Sequence, residues 1–272
     1  MLNGGVTLGQ YFPGKSLLHR MDPRVKLVLT LAYIVMVFLP QNWFGLAVAI
    51  AFLAVSATVS KLPARLLWRS IKPVLPLVLF TSIINVFYLQ DGAVLLDVWF
   101  IHITTSGVVT ALFISIRILC LIMGTSLLTY TTSPTALTDA LERILYPLTF
   151  LHIKVHTLAM MMTIALRFVP TLMDETDKIM SAQKARGADL ESGNLFERVK
   201  ALLPILIPLF VSSFRHAIEL ATAMECRCYH GGDGRTRMKQ LKLHAYDFIS
   251  IAVFCAVLTG VILLNIWVLP VI

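Results

Sequence analysis

Apolar runs of membrane-spanning length alternate with short polar segments along most of this chain. The runs cover residues 25–39, 43–60, 74–89, 107–130 and 248–269. The hydrocarbon core of a bilayer is about 30 Å thick, and an α-helix of roughly 20 residues crosses it. Arg117 is the one charge deep within a run, and Lys26, near the start of the first run, can extend its ammonium group to the interface. The pattern predicts an all-α, polytopic membrane protein with about five transmembrane helices.

Composition supports the same class of protein. Of the 272 residues, 57% are hydrophobic and 14% are charged. A soluble domain of this length could not cover so much apolar surface with so few charges. The net charge of +8 suits the anionic inner leaflet of a membrane. It does not indicate a nucleic-acid partner, because the aromatic residues lie in the apolar runs and not among the basic residues.

The distribution of Lys and Arg predicts the orientation, because cytoplasmic loops are enriched in both. Basic residues precede the first run and follow the second, whereas residues 91–106 contain none. The basic positions are Lys15, Arg20, Arg24, Lys26, Lys61, Arg65, Arg69 and Lys72. This alternation places the N-terminus in the cytoplasm and residues 91–106 outside.

Residues 131–245 hold 14 of the 23 Lys and Arg residues, together with two more apolar stretches at 155–173 and 201–214. If both stretches crossed the membrane, the basic segment 174–200 would lie outside and Arg167 would lie in the bilayer, against the charge rule. We therefore expect three parts. Residues 1–130 form an N-terminal membrane part with four transmembrane helices. Residues 131–245 form a cytoplasmic section of long helices, and residues 246–272 form a C-terminal transmembrane helix.

Three sequence patterns resemble ligand sites but lack the context that such sites need. Residues 9–16 match the phosphate-loop pattern G-x4-GK[ST], which functions only between a buried strand and a helix. Here an apolar run follows, so we expect neither nucleotide binding nor catalysis. His152 and His156 are four residues apart, and Cys226, Cys228 and His230 cluster near a helix end. Neither group presents a complete ligand set on one helix face, so we expect no metal and no cofactor.

Arg117 and a methionine-rich stretch each have two open interpretations. An ionisable residue within a span is a functional candidate, but Arg117 could equally bond polar groups of a neighbouring helix, for example Asn85. The methionine-rich stretch could form an ordinary core or an adaptable surface that accepts several partners. Its residues are Met160, Met161, Met162 and Met173.

A repeated pattern gives the strongest signal. Ala182-Gln-Lys-Ala185-Arg186-Gly187 recurs 41 residues later as Ala223-Met-Glu-Cys226-Arg227-Cys228. Each Arg stands between two small residues at the predicted end of a long helix. Capping of a helix C-terminus explains one such Arg, but it does not explain why the frame occurs twice. Small neighbours let a partner approach closely, and a protruding guanidinium can then form forked hydrogen bonds.

On these residues the chain resembles the T component, the transmembrane coupling subunit, of energy-coupling factor (ECF) ABC transporters. The resemblance covers nearly the whole chain. It rests on Gly9-Gln10-Tyr11, on the segment from His19 to Lys26 and on Ala185-Arg186-Gly187. The second signature, Cys226-Arg227-Cys228, departs from Ala-Arg-Gly by having cysteine on both sides.

The resemblance implies a non-catalytic subunit in the cell membrane of a prokaryote. Two ABC-type ATPases bind the two arginine signatures, and the apolar face of the long helices, including the methionine-rich stretch, holds a substrate-binding S component. In the shared-module group, which we favour, one T component serves several exchangeable S components for different vitamins. In the dedicated group it serves one substrate, such as cobalt, nickel or biotin. The competing hypotheses are a self-contained secondary transporter that uses Arg117 and a membrane scaffold without a transport role.

Overall fold

The computed structural model describes residues 11–88, 94–98, 101–151, 154–188, 194–231 and 241–267. Ten α-helices lie in this part of the chain: α1 (Leu17–Arg20), α2 (Pro23–Phe38), α3 (Trp43–Ser60), α4 (Ala64–Ile71), α5 (Leu75–Tyr88), α6 (Thr105–Thr131), α7 (Pro134–Leu145), α8 (Val155–Ala185), α9 (Leu195–Cys226) and α10 (Ala245–Trp267). A 3-10 helix covers Tyr146–Leu151. The predicted all-α membrane fold is confirmed. One short antiparallel hairpin, β1 (Val94–Val98) with β2 (Ile101–Thr104), is an addition that the sequence analysis did not predict.

The described residues divide into two compact units. Residues 11–140 and 241–267 form the first, which we call the bundle unit. Residues 141–231 form the second, which we call the helix-pair unit. Nothing in this division tests the predicted boundaries at 130/131 and 245/246, or which unit lies in the cytoplasm.

The bundle unit has a continuous apolar core formed by α2, α3, α6 and α10. Helices α2 and α6 pack against each other tightly, and a Cβ atom on Gly124 would lie 2.2 Å from Cε1 of Tyr33. The Tyr33 hydroxyl donates to the Cys120 carbonyl at 3.2 Å. The buried core residues are Tyr33, Met36, Val37, Ala49, Leu53, Cys120, Leu127, Phe254 and Val261. Glycine at position 124 therefore lets a tyrosine ring pack directly on the α6 backbone.

Polar contacts join the starts of α2 and α10 at one end of the bundle. Asp22 caps α2 by accepting from the Arg24 N–H at 2.9 Å. The buried Asp247 accepts from the Asp22 N–H at 3.0 Å and from the His244 N–H at 2.8 Å. Lys26 donates to the Thr131 carbonyl at the end of α6, 3.0 Å away. The Asp22-Pro23 segment that carries part of the family resemblance therefore has a structural role at this end.

Arg117 holds the loop between α2 and α3 at the opposite end of α2. Its Nη2 donates to the Pro40 carbonyl at 2.7 Å, and its guanidinium lies 4.8 Å from the centre of the Phe113 ring. Asn85, the partner considered from the sequence, instead donates to Thr81 of its own helix. The structural interpretation of Arg117 accounts for its position, with Pro40 as the partner.

Among the described residues, five helices are long and apolar enough to cross a membrane: Trp43–Ser60, Thr105–Thr131, Val155–Ala185, Val199–Cys226 and Ala245–Trp267. The number agrees with the prediction, but the membership differs. α2 has only 16 residues, and α4 with α5 qualifies only as a pair bent by 52°. Conversely, α8 and α9 qualify by length and composition. Their assignment to the cytoplasm rests on the charge rule alone and stays a prediction.

Candidate functional site: two arginine-tipped helices

The first arginine signature forms the C-terminal cap of α8. The Gly187 N–H donates to the Lys184 carbonyl at 3.0 Å, and the Ala188 N–H donates to the Gln183 carbonyl at 3.0 Å. Gly187 itself has a φ of +84°. These two bonds and the left-handed residue define a Schellman motif, in which glycine is the favoured residue. Arg186 is the last residue before the turn, and its side chain is exposed.

The second signature forms the same cap at the end of α9. The Cys228 N–H donates to the Glu225 carbonyl at 2.8 Å, and the Tyr229 N–H donates to the Met224 carbonyl at 3.0 Å. Cys228 has a φ of +53°, a conformation that is costly for a residue with a Cβ atom. Arg227 therefore occupies the same position in its cap as Arg186.

The shared cap accounts for part of the repeated sequence frame. The residue after each Arg must adopt the left-handed conformation, which explains Gly187 and makes Cys228 the strained member of the pair. At this position, contrary to the expectation from the sequence, capping does explain why the frame occurs twice. The cap does not explain the arginines themselves. Neither guanidinium forms an ion pair or hydrogen bond with another described residue, so both remain available to a partner.

The two tips lie at opposite ends of an antiparallel helix pair. Tyr229, just beyond the α9 tip, donates its hydroxyl to Sδ of Met160 in the second turn of α8, at 2.9 Å. At the other end Gln183, just before the α8 tip, contacts Pro204 in the first half of α9. The 26 residues from Met160 to Arg186 span about 39 Å of an ideal helix. Two separate partner sites, or two lobes of one partner, can therefore engage the tips.

A proline creates the contact next to the first tip. Pro208 has no N–H, so the Pro204 carbonyl lacks its usual donor one turn later in α9. The side-chain amide of Gln183 supplies that donor at 3.2 Å. Because Gln183 also accepts the cap bond from Ala188, it links the Arg186 cap directly to α9.

A polar cluster holds the middle of the pair. Glu175 on α8 accepts from the Ser212 hydroxyl on α9, and its second oxygen lies 3.5 Å from Nε2 of His216. The other ring nitrogen of His216 lies 3.6 Å from Glu219, and Phe168 stacks on the ring with centroids 6.2 Å apart. A groove of about 260 Å³ lies beside this cluster between the two helices. The pair is therefore joined along its length by side-chain contacts in three places.

The methionine-rich stretch divides between the inside and the outside of the pair. Met160 is partly buried and bonded to Tyr229. Met161, Met162 and Met173 are exposed, at 51%, 45% and 36%. Three of the four residues proposed for partner contact are thus accessible, and Met160 instead joins α8 to α9.

The larger exposed apolar face lies on α9, and none of its residues was predicted individually as a partner contact. Ten of the large apolar side chains that the structure describes on this helix are at least 43% exposed. They are Phe196, Val199, Leu202, Leu203, Leu206, Ile207, Phe210, Val211, Phe214 and Ile218. The signal was present in the sequence, because apolar residues here occupy more positions than one buried face of a helix can use.

The remaining sequence patterns do not form ligand sites in the described residues. Ser16 caps the four-residue helix α1, and the His19 ring bonds the Phe12 carbonyl at 2.9 Å, inside the phosphate-loop match. His156 pairs with Glu142 at 3.0 Å, a partner that the sequence analysis missed, while His152 lies outside the described residues. Cys226 and Cys228 are exposed free thiols. Within the described ranges no three His, Cys, Asp or Glu side chains form a group that could hold a metal ion.

Comparison with known proteins decides the family. Residues 14–238 match the family model CbiQ, described as "Cobalt transport protein". The chain belongs to this family. It is 49% identical over 260 residues to the energy-coupling factor transporter transmembrane protein EcfT of Ruminiclostridium cellulolyticum, covering 96% of this chain and 97% of the relative. The EcfT of Clostridium kluyveri is 51% identical over 263 residues, covering 96% and 97% of the two chains. The EcfT of Listeria innocua is 45% identical over 255 residues, covering 94% and 96%.

These relatives confirm the resemblance found in the sequence. The chain is a T component, the transmembrane component of an energy-coupling factor transporter, and a multi-pass membrane protein of a prokaryote.

Proposed function

We propose that this chain is the non-catalytic subunit that couples two separate ABC-type ATPases to the movement of a substrate-binding S component. One observation carries the proposal. Two long helices end in the same cap, and each presents, at an opposite end of the pair, an exposed arginine that bonds no other described residue. One tip would dock on each ATPase. A change in the separation of the ATPases would then move both helices, since polar contacts join them along their length.

The docking chemistry follows from the caps. Each arginine is the exposed residue that ends its helix, next to small residues, and its guanidinium can form a forked pair of hydrogen bonds with a carboxylate or carbonyl groups of an ATPase. Ala185 and Gly187 flank Arg186, and Cys226 and Cys228 flank Arg227. These six residues are the proposed ATPase contacts.

Co-purification tests this proposal. Wild-type chain should retain both ATPases, whereas R186A with R227A should lose them while the protein still inserts and elutes as a single species. Each single variant should lower retention, and Arg→Lys at either tip should restore it only in part, because Lys cannot form the forked pair. K178A with R215A is the matched control, since both cations are exposed on the same helices but outside the tips.

Retention of both ATPases by the double variant would refute arginine docking. Transport by the purified chain alone would refute the coupling role and support the secondary transporter. The contacts of Arg117 do not support that alternative, because its guanidinium already bonds the Pro40 carbonyl.

The S component would dock on the exposed apolar faces of the helix pair. Met161, Met162 and Met173 offer flexible contacts on α8, and α9 adds a broader apolar face. A photo-crosslinking amino acid at Met161 or Phe210 should capture an S component in membranes. The same group at Tyr88, an 85% exposed position in the bundle unit, serves as the control. Capture of lipid alone at both test positions would contradict this assignment.

The identity of the substrate is the most specific part of the proposal. We propose a shared module that serves several exchangeable S components for vitamins, supported by the adaptable methionine surface. The description of the matching family names cobalt, which a dedicated module would transport. Mass spectrometry of the complex from its native membrane separates the two. Several S components indicate a shared module, and a single one indicates a dedicated transporter.

The proposed orientation puts the N-terminus and residues 131–245 in the cytoplasm, on the basis of their Lys and Arg. The exposed thiols of Cys226 and Cys228 give a direct test. A membrane-impermeant maleimide should label them only after intact cells are permeabilised. Labelling in intact cells would place the α9 tip outside.

A further inference from the structure

The short helix α4 lies at one end of the bundle unit, level with the ends of two long helices. Three residues separate it from the end of α3, and it is bent by 52° from α5. Ser70 of α4 bonds the hydroxyl of Tyr130, in the last turn of α6, at 2.6 Å. If α3 and α6 cross the bilayer, α4 lies where their ends meet the lipid headgroups.

The inner face of α4 is packed against the bundle. Ile71 is 9% exposed, and Leu67 packs against the bundle core. The Tyr130 hydroxyl also approaches the Leu66 carbonyl at 3.4 Å. These contacts fix the rotation of the helix about its own axis, so its other face is held outward.

That outward face carries three cations and a tryptophan. At 100° per residue, Arg65, Arg69 and Lys72 fall within about 60° of arc, and Trp68 lies about 40° further round. All four side chains are exposed, Trp68 by 62%. None of the three cations forms an ion pair with another described residue, and the sequence contains no acidic residue between Asp22 and Asp91. We define Arg65, Trp68, Arg69 and Lys72 as the α4 basic face.

From this placement we infer that the α4 basic face binds the headgroups of anionic phospholipids. Cations at one-turn spacing match a layer of phosphates, and each adds attraction to an anionic surface. An exposed tryptophan at the end of a span is typical of the membrane interface, where its ring lies among the headgroups. A helix that buries one face in protein and presents cations with tryptophan at this depth has the features of an interfacial anchor. This inference does not depend on the coupling role.

Lipid retention by the purified full-length chain tests the inference. The chain in detergent is mixed with equal amounts of phosphatidylglycerol and phosphatidylcholine, and bound lipids are counted by native mass spectrometry. The wild type should retain phosphatidylglycerol selectively. R65Q with R69Q and K72Q should weaken that binding by about fivefold per cation removed, or about a hundredfold in all. Raising the salt to about 1 M should reduce wild-type selectivity, because exposed charges are then screened within about 3 Å.

Two further variants keep the test decisive. K178Q with K200Q and R215Q removes the same charge from exposed positions in the helix-pair unit and should keep selective retention. R65K with R69K and K72R preserves the charges and should also keep it. Comparing this variant with the triple Gln variant separates the effect of lost charge from the effect of misfolding. The elution profile of each variant checks that it is folded.

Two results would overturn the inference. The first is unchanged phosphatidylglycerol retention in the triple Gln variant. The second is an equal loss in the helix-pair control, which would show that net charge alone attracts the lipid. If lipid retention is unchanged but the triple variant loses a protein subunit on co-purification, the α4 basic face docks a protein and the lipid assignment is wrong.

Discussion

The bundle unit and the helix-pair unit use their apolar residues differently. In the bundle unit, side chains from four helices form one buried core. In the helix-pair unit, the buried apolar residues within the described ranges are Val155, Ala159 and Ile205, while α9 alone leaves ten large apolar side chains exposed. The bundle therefore carries the packing that fixes its own fold. The helix pair is held by a few polar contacts, and its apolar faces must be covered by lipid or by other subunits.

The largest effect is expected from a substitution that disrupts the core of the bundle unit and does not alter the helix-pair unit. A Cβ atom at position 124 would overlap the Tyr33 ring, so Gly124→Ala should destabilise the protein by about 3 kcal/mol through overpacking. Thermal unfolding in detergent measures the change. Gly260→Ala is the matched control, because no atom lies within 4 Å of its added Cβ, and alanine favours a helix by up to about 1 kcal/mol. Equal stability of the G124A and wild-type proteins would contradict the close approach of α2 and α6.

The next effect concerns Arg117, for which the sequence left both a transport role and a structural role open. Arg117→Gln removes a bond from a cation to the Pro40 carbonyl, which should cost about 2 kcal/mol and lower the unfolding temperature. Asn85→Ala should change it little, because among the described residues the Asn85 amide bonds the Thr81 carbonyl of its own helix and no other group. Unchanged stability with lost uptake in R117Q would favour a transport role for Arg117.

A smaller effect should loosen the helix pair without disturbing the bundle. Gln183→Leu leaves the Pro204 carbonyl without a donor, which should cost about 1 kcal/mol. Pro208→Ala supplies the missing N–H within α9, so Q183L should have almost no effect in that background. Hydrogen exchange near Arg186 gives the readout, and its rate should rise in Q183L only. A similar rise in both backgrounds would show that Gln183 stabilises the tip by another route.

The sequence predicted most features that depend on local pattern and few of the contacts between residues that are distant in the chain. Apolar length predicted the membrane class, and the repeated frame around Arg186 and Arg227 located both helix tips. The partner of Arg117 could not be predicted, because Pro40 is 77 positions away in the chain. The role of Pro208 could not be predicted either. A proline removes a backbone hydrogen-bond donor, and the donor that takes its place, the side-chain amide of Gln183, comes from another helix. The family resemblance, by contrast, depends on none of these contacts.

The smallest effect is expected from substitutions at the equivalent cap positions of the two tips. Gly187 and Cys228 occupy the same cap position, and only Cys228 bears a Cβ atom in the left-handed region. Cys228→Gly relieves a strain of about 1 kcal/mol, but the added freedom of glycine in the unfolded chain offsets about half of it. The α9 tip should therefore gain roughly 0.5 kcal/mol of local stability, seen as slower hydrogen exchange around Tyr229. Gly187→Ala should weaken the α8 tip through strain alone, because no atom lies within 4 Å of the added Cβ. If C228G instead speeds exchange, the cysteine side chain contributes a contact that outweighs its backbone strain, and the two tips are not equivalent.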